Sequence, residues 1–198
     1  KDGGSPLPDP TLDAADDLMI AWIIHASGLP TLDAAWGTNF LQTTIDSVVR
    51  STFWSLIRGA GAPTLTFSGG GTIYSSHVLV YRGTHLTTPI GTTTYDYEAS
   101  GTSHTSDSIS LADAASWLLC ALDVPNASGT ITVPTGMTER LNRTNVVAAA
   151  DLSAPANPTG AKTWTFGTAG DTHAMSIEIR PPAAGAARRP MLTLLGVS

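Results

Sequence analysis

At 198 residues, 42% of them hydrophobic and 13% charged, the chain can bury one large core and carries about half the charge of an average domain. A formal net charge of −6 and a pI near 5.1, with two lysines and eight arginines that are scattered apart from Arg188 and Arg189, leave no basic stripe for a nucleic-acid backbone. One cysteine excludes an internal disulfide, and the longest apolar run, Leu18 to Ala26, is far too short to span a bilayer.

Thr occupies 28 positions and Gly 19. Branched Thr suits a pleated surface and Gly supplies the turns between strands, so the composition predicts an all-β fold. Lys1 stands where an initiator Met would, which leads to the expectation that something precedes it. "KDGGSPLPDP" has no hydrophobic period, and residues 1–15 are expected to be a flexible connector. "DLMIAWIIHAS" is continuously apolar and predicts a central strand covered on both faces, with a buried helix as the alternative. In "TIDSVVRSTFWSLIRG" the residues Ile45, Val48, Val49, Thr52, Phe53 and Leu56 fall at helical spacing, but the branched side chains favour strand.

"PTLTFSG" alternates Leu65 and Phe67 against Thr64 and Thr66, and "IYSSHVLVYRG" sets Val78 and Val80 against His77, Leu79 and Tyr81. Between them, "SGGGT" reads as a hairpin loop, since a phosphate cradle needs a following helix. "TTPIGTTTYDYEASGTSHTSD" has little to bury and is expected to be an extended surface loop with at most a short edge strand. "SISL" and "SWLLCALDV" predict two strands, the second placing Cys120 in apolar surroundings.

"ITVPTGMTER" predicts a strand, then a corner in which Pro134 ends the ladder and Gly136 permits a positive φ. Glu139, Arg140 and Arg143 follow with their charges expected outward. "NVVAAADLS", "AKTWTFG" and "HAMSIEIRP" complete the strands, the last with Met175, Ile177 and Ile179 inward and Ser176, Glu178 and Arg180 outward. After the small-residue linker "PAAGAARR", "PMLTLLGVS" predicts a C-terminal strand. Met191, Leu192, Leu194 and Leu195 are its candidate contacts for docking on a neighbouring subunit.

About ten strands with Gly/Pro punctuation predict a two-sheet antiparallel β-sandwich of Greek-key or jelly-roll type over residues 16–181, with extensions at 1–15 and 182–198. No cofactor, metal site or catalytic residue is expected. No G-x-S-x-G elbow is present, and His25, His77, His85, His104 and His173 are spread singly, so surface or capped histidines are the default. Asp96 with Glu98, or Glu139 with Asp151, could be drawn as acid pairs, but sequence does not fix their separation. "DAADD" lacks the Gly and distal Glu of a calcium loop, and the sequons at Asn126 and Asn142 carry meaning only in a secreted eukaryotic protein.

Taken in order, "VYRGTH", "TSDSISL", "ITVPTGMTER" and "TGAKTWTFGTAGDTHAMSIEIRP" resemble a β-sandwich domain of bacteriophage tail and other virion-surface proteins. The likeness runs from about Asp16 to Pro181, and the tail "RRPMLTLLGVS" is similar to those of short phage structural proteins. The resemblance implies a virion component of the tail, fibre or spike, tail tip or head decoration, with no catalytic residues. It implies other virion proteins as partners and a homo-oligomer, a trimer in a fibre or spike; the short apolar runs separately predict no membrane insertion. Host-surface polysaccharide is the expected outside ligand, with Tyr74, Tyr95, Asp96 and Tyr97 as candidate glycan contacts; packing or subunit contact is the alternative role for these tyrosines. A free carbohydrate-binding module and a glycan depolymerase are the competing readings.

Overall fold

The computed structural model describes residues 17–26, 28–43, 49–58, 65–69, 71–124, 129–143 and 147–183. The expected connector at 1–15 and the docking residues Met191, Leu192, Leu194 and Leu195 lie outside the described residues. Twelve strands follow in order: β1 (Leu18–Ala26), β2 (Thr31–Leu32), β3 (Asn39–Gln42), β4 (Val49–Ile57), β5 (Phe67–Ser68), β6 (Ile73–Tyr81), β7 (Ile90–Ser106), β8 (Trp117–Asp123), β9 (Ile131–Thr132), β10 (Thr138–Arg143), β11 (Val147–Ser153) and β12 (Lys162–Ile179). A 3-10 turn at Ala34–Trp36 is the one helical element among the described residues. The chain is therefore all-β, with two main antiparallel sheets, as the sequence predicts. Within residues 16–181 it forms two compact units, one reaching Thr87 and the other spanning Thr88–Pro181.

The first unit is built on a sheet of order β3-β4-β1-β6, beside a small β2-β5 pair. β1 is central, and Leu18 to Ile24 are buried on both faces, which explains why its sequence runs apolar without alternation. Met19, Ala21 and Ile23 pack with Trp36, Trp54, Leu65, Val78 and Val80 on one face. On the other, Trp22 stacks on Phe53 with ring centroids 5.2 Å apart and donates its indole N–H to Ser51 Oγ at 3.0 Å. Asp17, almost fully buried at the start of β1, is paired by Arg82 Nε at 3.2 Å just after β6 ends.

The second unit is a sheet of order β10-β11-β8-β12-β7, with β9 pairing separately on β12. One face carries a core of Leu118, Cys120, Leu122, Ala148, Ala150, Trp164, Phe166 and Ala174, joined by Ile109 and Leu111. Met175, Ile177 and Ile179 lie on the opposite face and are fully buried, as expected. Ser176 and Glu178, expected outward, are fully buried as well. The connection before β8 folds over their side. Ser176 donates to the Asp107 carbonyl at 2.9 Å, and the Glu178 carboxylate accepts from Thr92 N–H (2.9 Å), Ala112 N–H (2.7 Å) and Ser116 Oγ (2.7 Å).

The same connection explains why Ile109 and Leu111 of "SISL" are buried although the segment is not a strand. Its backbone pairs with polar groups of one loop instead of with a ladder: Ile109 N–H donates to Thr159 Oγ1, while Leu111 N–H and carbonyl are both met by the Asn157 side-chain amide. Other expectations also change. The polar stretch taken for a loop is β7, 17 residues long at the end of the sheet order, paired with β12 along its length. Mostly exposed Thr, Tyr and Ser give such a strand no apolar signature, although their β-propensity suits it. "AKTWTFG" and "HAMSIEIRP" are one continuous strand, β12. "SGGGT" is no hairpin, because β5 pairs with β2 and β6 with β1.

The "PTG" corner forms as read: Met137 N–H donates to the Pro134 carbonyl at 3.1 Å, and Gly136 has φ +81°. Arg140 is not simply turned to solvent. Its Nε lies 2.8 Å from Asp151 Oδ2, and Asp151 is buried, so an ion pair anchors β10 to β11.

Glu178 also dictates a neighbour. A Cβ on Gly91 would collide with the Glu178 carboxylate and lie 2.9 Å from Arg180 Nε, so only Gly fits beneath it. Burial works to raise the Glu178 pKa, but the Thr92, Ser116 and Ala112 donors and the Arg180 charge outweigh it and hold the carboxyl below its ordinary value. A depressed carboxyl contributes stability above its unfolded pKa and loses it as pH falls through the folded one. Glu178→Gln is expected to lower unfolding free energy at pH 7 by about 2 kcal/mol in urea titrations, the worth of a bond to a buried charge. The deficit should shrink below pH 4, roughly the unfolded glutamate value, as wild-type Glu178 takes up its proton. Gly91→Ala should destabilise by displacing the same carboxylate, so the double variant should fall short of additivity.

Candidate functional site

Strand alternation separates the candidate glycan contacts. Tyr95 and Tyr97, two residues apart on β7, lie on the side of Met175 and His173, their cross-strand partners. Asp96, between them, pairs with Ala174 and turns to the other side, where its Oδ2 lies 3.6 Å from His104 Nε2. Tyr74 belongs to β6 of the other unit and is exposed. The sequence triplet is thus divided between two faces of one strand.

On the first side, the His173 ring sits against both tyrosines, with centroids 6.3 Å from Tyr95 at an interplanar angle of 24° and 5.4 Å from Tyr97 at 49°. Tyr95 and Tyr97 remain 44% and 37% exposed, whereas His173 is 1% exposed and neither of its ring nitrogens has a hydrogen-bond partner. Burial lowers its pKa to about 4, and the His104 charge pushes the same way against Asp171 and Asp96. At neutral pH this ring is uncharged, and it packs against the two tyrosines as an aromatic surface.

On the second side, His104 Nδ1 lies 2.6 Å from Thr172 Oγ1, so a hydroxyl, an imidazole and the Asp96 carboxylate stand in line. The order suggests a hydrolytic relay, but Thr172 is fully buried and the Asp96 contact is longer than a hydrogen bond. The row joins β7 to β12. Burial lowers the His104 pKa, opposed by Asp96, Glu98 and Asp107. Asp96 and Glu98 do share this side of β7, whereas Glu139 pairs with Ala150 and Asp151 with Thr138, on opposite sides of their sheet.

His25, His77, His104 and His173 are all buried, against the surface default. For two of them the sequence offered a signal: His77 lies between buried Ser75 and Leu79, and His173 shares parity with Met175, Ile177 and Ile179. Cys120 is also buried, with Ser106 and Ser176 hydroxyls 3.9 and 3.8 Å from its sulfur, and burial pushes its thiol up to about 11. Among the described residues no group of three or more His, Cys, Asp or Glu side chains could hold a metal ion, and no helix is long and apolar enough to cross a membrane.

No protein-family model, curated protein or solved structure matches the chain.

The His173 environment has a measurable consequence. Its folded pKa is below the ordinary 6.5, so the unfolded chain binds that proton first, and the contribution to stability is lost as pH falls from about 6.5 to about 4. His173→Phe keeps a ring between the tyrosines and removes the proton. Urea unfolding at several pH values across that window is expected to show a pH slope shallower than wild type by up to about 1.4 kcal/mol per pH unit.

Proposed function

We propose that this chain is a structural protein of a bacteriophage particle, carried on the virion surface in the tail, a fibre or spike, or the head. It works by assembling with other virion proteins, as a homo-oligomer, and by meeting host-surface glycans. The observation that carries this reading is the use made of the residues that bear the resemblance. Arg82 of "YRG" pairs with buried Asp17, Gly136 of "PTG" turns the corner into β10, Trp164 and Phe166 of "WTF" fill a core, and Glu178 of "SIEIRP" clamps the connection before β8. A motif set spent on turns, core and clamps supports a shape-giving role over a catalytic one.

The exposed Tyr95 and Tyr97 favour a second reading, a free carbohydrate-binding module, which would act as a monomer apart from any particle. The two differ in where the protein is found. Antibodies raised against it are expected to label intact phage particles in negative-stain images, and peptides of the chain should be recovered from purified particles. Particles lacking the protein, with the monomer free in the medium, would refute the virion role.

A further inference from the structure

We infer that Tyr95 and Tyr97 form a stacking ledge for the sugar rings of a neutral glycan, with His173 as the wedge that sets the pitch of the two rings. The host-recognition role proposed above, on which this rests, thereby acquires a ligand class.

Residues two apart on a strand are separated by about 6.6 Å, so Tyr95 and Tyr97 present two rings side by side along β7. Both are large exposed aromatics on the terminal strand of the sheet order. His173, across from Tyr97 on the adjacent strand β12, is buried to 1% exposure and packs its ring against both tyrosines. The negative face of an aromatic ring attracts the weakly positive C–H groups of a pyranose, and a phenol hydroxyl at the rim can bond to its hydroxyls. Thr93, on the same side of β7 and half-buried, adds another hydroxyl.

Charge selects among sugars. The chain carries a net charge of −6, β7 has no lysine or arginine, and Asp171 acts on the His173 ring against which the tyrosines pack. A sialylated or uronate-rich polymer meets repulsion here, whereas a neutral hexose polymer does not.

The test is a glycan array followed by affinity electrophoresis of the full chain in gels containing dextran, galactomannan or, as the anionic counterpart, polygalacturonate. Wild type is expected to bind neutral glycans on the array and to be retarded in a neutral gel, equally at low and high salt. Tyr95→Ala and Tyr97→Ala should each weaken binding at least about fivefold, the least expected of an anchoring aromatic, while Tyr→Phe at either position retains most of it. Both tyrosines are exposed, so unchanged urea midpoints will show that the Ala variants fold. His173→Phe should preserve binding and His173→Ala should lose it; loss by both would make the imidazole itself a contact and overturn the wedge. The ledge is refuted by a blank neutral array, by binding confined to the anionic polymer, or by Ala variants that bind as wild type does. None of these outcomes bears on particle labelling, which tests the virion role independently.

Discussion

The Glu178 carboxylate gathers donors from the start of β7 and from the connection before β8, and its place in the interior depends on all of them. A charge taken from water without partners would be strongly unfavourable; with three hydrogen bonds and Arg180 nearby, it becomes a clamp with one geometry. Much of the second unit's connectivity follows. Gly91 must lack a side chain, the segment bearing Ile109 and Leu111 is pinned across the sheet, and its apolar side chains reach the core although no ladder holds them.

Sequence reasoning recovered the broad architecture because its cues are local. Continuous apolar character in β1, alternation at Met175, Ile177 and Ile179, and the Gly136 turn each follow from what a few neighbouring residues do to a backbone. It missed what depends on partners distant in the chain. Ser176 and Glu178 look like a wet face in isolation, and only the arrival of residues 107–116 over them turns that face inward. β7 went unread for the opposite reason: a terminal strand with few buried side chains has no hydrophobic period to detect. Arg140 illustrates the same limit, since its acid is Asp151 on the adjacent strand and not its neighbour in sequence, Glu139.

For the candidate site, the sequence supplied the tyrosines but not the grouping. Three consecutive residues looked like one cluster, yet a pleated strand sends the middle one away, joining Asp96 to His104 and leaving Tyr95 and Tyr97 with His173. One side of β7 thereby holds the sheet together through the row of Asp96, His104 and Thr172, while the other presents aromatic surface. The buried polar row and the exposed aromatic surface are divided by the two-residue period of the strand itself.

The sheltered position of Cys120 has a practical side. The sole sulfhydryl of the chain lies at the centre of the second unit's core with its proton firmly held, so the folded exterior is blank to maleimide chemistry. Any cysteine introduced on the outside becomes a unique address, and a dye or gold cluster attached there would report one known point of the molecule wherever it sits.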